Sequence, residues 1–92
     1  MTPENAETTA LKALAWLVAD DELLPVFMGA TGVDQDALRA SAGDPGFLGS
    51  VLDFLLMDDA WVIRACDALS LPYDQLAMAR QMLPGGAQLH WT

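Results

Sequence analysis

The chain has 92 residues and a mass of 9.9 kDa, enough for one small domain and too little for two separate cores. Four Lys and Arg stand against 13 Asp and Glu, a formal charge of −9, which argues against direct nucleic-acid binding and against an anionic membrane surface, since both draw on cationic contacts. With 53% hydrophobic and only 18% charged residues the chain is not disordered, and a domain of this size covers only about 60–65% of its unfolded surface, leaving apolar area for a partner or a second copy to cover.

Helix signals follow one another along the chain, and strand signals are nearly absent. Thr2 and Pro3 form a cap followed by a first-turn proline, Glu4 and Glu7 suit the positive end of a helix, and Leu11, Leu14 and Val18 recur at helical spacing. A first helix over residues 3–19 follows. Asp20 and Asp21 can cap a second over 22–30, in which Pro25 falls near the first turn, where a missing backbone donor is tolerated or produces a kink. Asp34 caps a short third helix through Leu38 and Arg39, which Gly43 ends. Asp44 and Pro45 open the fourth, residues 45–57, whose Phe47, Leu48, Val51, Leu52, Phe54, Leu55 and Leu56 leave only a thin polar wedge, so it should be the most buried. Asp58 and Asp59 cap a fifth, with Trp61, Val62, Cys66 and Leu69 on one face. Ser70, Leu71 and Pro72 turn into a sixth, where Leu76, Ala79 and Leu83 repeat the spacing until Pro84, Gly85 and Gly86 end it.

Shifted by 38 residues, segment 13–38 aligns with segment 51–76, with Asp20 and Asp21 matching Asp58 and Asp59, and Leu14, Leu17, Ala30, Asp36 and Leu38 matching identical residues. Either a three-helix unit is duplicated with approximate two-fold packing, or capped amphipathic helices rich in Ala, Leu and Asp align this well by composition. The expected fold is all-α: a compact bundle of five or six short helices in one domain, residues 1–83, with an internal duplication, and a flexible C-terminal tail, residues 84–92.

Few residues point to chemistry. One cysteine cannot form an internal disulfide, and no Cys/His cluster has metal-ligand spacing. Asp34 and Asp36 begin like a calcium loop, but Ala37, Leu38 and Arg39 follow where further oxygen ligands belong. No cofactor is expected. Most aspartates sit at helix starts, where capping explains them, although their charge still attracts a basic protein. Cys66 reads as a small core residue, and the scattered methionines as core filler. The fifth and sixth helices superficially look like a helix-turn-helix, yet the sixth offers only Arg80 and Gln81 to read bases. Asp53 interrupts an apolar helix beside Gly46, Gly49 and Ser50. It lies on a solvated edge, or, if covered, needs Arg39, Arg64 or Arg80 as partner. In the tail, Leu89, His90 and Trp91 are apt to anchor in an apolar groove, in cis, on a second copy or on a partner, and His90 changes charge near neutral pH. The first ten residues have the acidic character a signal peptide lacks, and no apolar run reaches the ~20 residues of a membrane span, so a cytoplasmic protein is expected.

The segments ALAWLVADDELLPVFMGATGV, VLDFLLMDD and LSLPYDQLAMAR, and the ending LPGG followed by HWT, resemble the bacterial family filed as domain of unknown function 3572. The resemblance covers nearly the whole chain and implies a small, predominantly helical cytoplasmic protein with no catalytic residues to carry over. The expected function is therefore non-enzymatic: a protein–protein interaction or adaptor protein that uses helix faces and the Trp91 tail toward a basic partner or in a homodimer. The alternative is an acidic antagonist or DNA mimic that blocks a basic nucleic-acid-binding protein.

Overall fold

Helices begin where a short polar side chain can take the backbone donors that a helix start leaves without partners. Residues 1–83 are described in a computed structural model, and six α-helices are found among them. Thr2 Oγ1 accepts from the Asn5 N–H to open α1 (Pro3–Ala19). Asp20 Oδ1 accepts from the N–H groups of Glu22 and Leu23 at the start of α2 (Leu23–Thr31). Asp34, Asp44 and Asp58 cap α3 (Gln35–Ser41), α4 (Pro45–Leu56) and α5 (Asp59–Leu69) by accepting from Ala37, Gly46 and Ala60. α6 (Gln75–Met82) follows its capping position, Asp74, without a side-chain cap bond, and Glu22, at the same position before α2, makes none either. Pro25 is the third residue of α2, where an intrahelical donor is not required, so the helix runs through it.

α1 and α4 organise the interior. α1 packs most broadly on α6 and α4 and also meets α5 and α2. Its buried stripe is Ala6, Ala10, Ala13, Leu14 and Leu17 with Thr9, and the Thr9 hydroxyl accepts from Gln75 Nε2 of α6. Of the three residues expected to face the core, Leu14 does, whereas Leu11 and Val18 are 44% and 45% exposed. Alanine wins the inner face because small side chains let neighbouring helices approach on several sides, which a stripe of leucines would prevent. α4 is as buried as its composition implies, with Leu48, Val51, Leu52, Phe54 and Leu55 inside. Aromatic rings join it to α2 and α5: Phe27 of α2 meets Phe54 edge-on at 5.2 Å and Phe47 at 6.2 Å, and Trp61 of α5 stacks on Phe54 at 4.7 Å. Val62, Ala65 and Cys66 line the inner side of α5, and Leu76, Ala79 and Leu83 close the core.

The 38-residue recurrence matches where α2 and α5 end, at Thr31 and Leu69, but not where they begin, at Leu23 and Asp59. Asp20 and Asp58 both cap, and Gly32 (φ 73°) and Ser70 (φ 58°) both end a helix in the left-handed conformation. The third helices do not follow: α6 begins 40 residues after α3 and packs against α1 and α4, whereas α3 packs broadly on no other helix. A two-fold arrangement about α1 and α4 would give α3 the contacts of α6, so an internal duplication is not shown.

The alanine face and the α4 core make opposite predictions for size changes. Leu52→Ala should lower unfolding free energy by about 2–5 kcal/mol in urea titration, and Ala10→Leu by about 1–3 kcal/mol through overpacking. Leu11→Ala should change it by less than about 1 kcal/mol, since that side chain is already half in water.

Candidate interaction surfaces

The chain's four cations divide into two that are built into the fold and two that are not. Arg80, on α6, is only 8% exposed, and its Nε and Nη2 donate to Asp53 Oδ1 and Oδ2 at 2.6 and 3.0 Å. Asp53 is thus engaged by one of the three arginines open to it, and the fork-to-carboxylate geometry ties α6 to α4. Of its neighbours on that face, Gly49 is buried while Gly46 and Ser50 are exposed.

Arg64 of α5 holds the junction of the first two helices. Its Nη2 donates to Asp20 Oδ2 at 2.7 Å and its Nη1 to Glu22 Oε1 at 3.4 Å, while its guanidinium lies 5.7 Å from the Trp16 ring centroid. Asp20 therefore works with both oxygens, one capping α2 and one binding α5. Lys12 and Arg39 form no ion pair among the described residues. Of the thirteen carboxylates, only Asp20, Glu22 and Asp53 are ion-paired there.

Met57, Met78 and Met82, expected to fill the core, are instead exposed where their helices turn outward, and two further apolar regions bear on recognition. α2 buries Leu23 and Phe27 and turns Pro25, Val26, Gly29 and Ala30 outward. A Cβ placed on Gly29 would meet nothing within 4 Å, so the space over this face is open. The second region is a cleft of ≈ 260 Å³ between α1, α2 and α3, lined by Leu14, Val18, Leu24, Gln35, Leu38, Arg39 and Ala42. Neither region was singled out by residue type. The signal for the first was present in the sequence as residues 23–33, eleven positions without a charge in a strongly acidic chain.

Cys66 is fully buried on the inner side of α5, and desolvation, aided by the nearby charges of Asp67 and Asp74, pushes its thiol above the ordinary value of 9.0. The Tyr73 hydroxyl donates to Asp67 Oδ1 at 2.7 Å, a bond that raises its own pKa. Among the described residues no group of three or more His, Cys, Asp or Glu side chains could hold a metal ion, and no helix is long and apolar enough to cross a membrane. Leu89, His90 and Trp91 lie outside the described residues.

Residues 3–86 match the family described as protein of unknown function (DUF3572), and the chain belongs to it, as its segments suggested. No curated protein and no solved structure matches the chain.

Three outcomes test these assignments. Asp53→Ala strips the buried Arg80 guanidinium of a charged partner and should cost about 1–3 kcal/mol by urea unfolding. Native Cys66 should react with iodoacetamide at pH 8 at least about tenfold more slowly than in urea. Because the folded thiol holds its proton to higher pH than the unfolded one, Cys66 should also lower stability as pH rises past the ordinary thiol value, and Cys66→Ala should remove that slope.

Proposed function

We propose that this DUF3572 protein is a non-enzymatic interaction protein of the cytoplasm that docks a partner on its exposed apolar helix faces, with the Trp91 segment contributing. The main support is the outward face of α2. A helix carrying no charge, in a chain of net charge −9, keeps Val26, Gly29 and Ala30 in water where polar residues would cost nothing. Two small residues near its C-terminal end, Gly29 and Ala30, let a second helix lie close as an amphipathic segment settling in a groove. The carboxylates left without ion pairs supply a field that speeds the approach of a basic partner, while burial of the apolar face supplies the affinity. The side chains with the greatest chemical potential are already committed to the fold: Cys66 is buried, and Asp20 and Asp53 are held by arginines.

The same carboxylate surplus favours a second reading, an acidic antagonist that occupies a nucleic-acid-binding surface. Salt separates the two. Apolar docking persists at about 0.5 M salt, where the Debye length falls to only a few ångströms, whereas carboxylate mimicry of phosphate is lost.

Gly29→Gln tests the docking face without disturbing the fold, since Gln is the better helix former by roughly 0.5–1 kcal/mol and the site is open. The thermal midpoint should hold or rise. A partner captured from host extract by the wild type at high salt should be retained at least about tenfold less by Gly29→Gln, and less by Trp91→Ala. Equal capture by all three proteins, or capture that vanishes with salt, would overturn the proposal.

A further inference from the structure

The cleft between α1, α2 and α3 is mostly apolar in its lining. It is lined by Leu14, Val18, Leu24, Leu38 and Ala42 and by two polar residues, Gln35 and Arg39. None of the thirteen carboxylates lines it. Asp36 stands three residues before Arg39 on α3, a spacing that allows a helical ion pair, yet none forms. An arginine with no ionic partner among the described residues thus borders an apolar cleft in a chain where acids outnumber bases by more than three to one.

We propose that this cleft is a binding site for a small apolar monocarboxylate, of the medium-chain fatty acid class. The apolar walls suit an alkyl chain, and Arg39 suits the carboxylate, which its planar guanidinium can bind through two parallel hydrogen bonds with Gln35 as a further donor. At ≈ 260 Å³ the cleft lies just under the ~300–1,000 Å³ of sites for drug-sized molecules, so the occupant is short, about six to ten carbons. The net charge of the chain opposes an anion at long range, but physiological salt screens exposed charges beyond about 8 Å, so the local cation decides at contact. The site is distinct from the docking face of α2. Leu24 and Met28 lie on one flank of that helix, Val26 and Ala30 on the other, as 100° per residue requires, and the ligand does not depend on a protein partner.

The experiment is a titration of the methyl NMR signals of the full chain with hexanoate, octanoate, octan-1-ol and octylammonium. Octanoate should shift the methyls of Leu14, Val18, Leu24 and Leu38 to saturation, leave Ile63 on α5 unmoved, and bind roughly tenfold more tightly than hexanoate because two more methylenes are buried. Arg39→Gln should weaken octanoate about tenfold with no change for octan-1-ol, and Arg39→Lys should restore part of the loss. Arg39 is exposed and unpaired among the described residues, so an unchanged thermal melt is the expected control for folding. Octanoate binding that ignores Arg39→Gln, octylammonium binding as tight as octanoate, or shifts confined to other methyls would overturn the proposal. A cleft that responds only to a captured protein and to none of the four probes would overturn it too, while leaving the α2 interface standing.

Discussion

The alanine face of α1 is the constraint to which the other helices adjust. Ala6, Ala10 and Ala13 are wholly buried, and the helix that carries them meets α2, α4, α5 and α6. A chain this short has too little volume for layers of large side chains around every helix, so its central contact is made of small ones. Small side chains bury little apolar area apiece, which shifts the burden of stability to Leu48, Leu52 and Leu55 of α4 and to the ring cluster of Phe27, Phe54 and Trp61. It also displaces larger residues outward. Leu11 and Val18 stay on the surface of α1 because the inner side has no room for them, and Val18 becomes a wall of the cleft.

Charge is distributed by a related economy. Short helices have many ends for their length, and each end needs a cap, which accounts for Asp20, Asp34, Asp44 and Asp58. Two arginines then hold the pieces together, Arg64 across the junction of α1, α2 and α5, and Arg80 between α4 and α6. What remains is a surface rich in carboxylates with two cations free of ion pairs among the described residues, one of them, Arg39, at the apolar cleft between α1, α2 and α3. Structural demands on acids thus create the field on which the proposed attraction of a basic partner depends.

Much of this was legible from residue order. Cap followed by proline marks the starts of α1 and α4 to the residue, and Pro84 to Gly86 come soon after α6 in the sequence, because these signals act within a few bonds. The inner side of α1 was misread, since hydrophobicity ranks Leu and Val above Ala while helix packing prefers the smaller residue. Ser70 gives no local warning of its left-handed conformation; only its alignment with Gly32 hints at it. The Asp53 partner was narrowed to three arginines and no further, for the choice depends on how α6 crosses α4, a tertiary fact. The cleft was invisible for the same reason: its walls come from three helices, and no single stretch of sequence contains it.

The two proposed surfaces share α2, and their independence depends on how firmly that helix is held. Phe27 is wholly buried and gripped edge-on by Phe47 and Phe54, while Asp20 and Arg64 fix the helix start. A ligand in the cleft that shifted α2 would have to move Phe27 against both rings, a change that close-packed interiors resist. α3 is different, for Leu38 is its one buried residue and no other helix packs broadly on it. Adjustment to a ligand therefore falls on α3, which can move about Leu38 without disturbing the ring cluster. Thermodynamic linkage makes the consequence reciprocal: a ligand that leaves α2 in place leaves partner affinity unchanged, and a partner on the outward face of α2 leaves ligand affinity unchanged in turn.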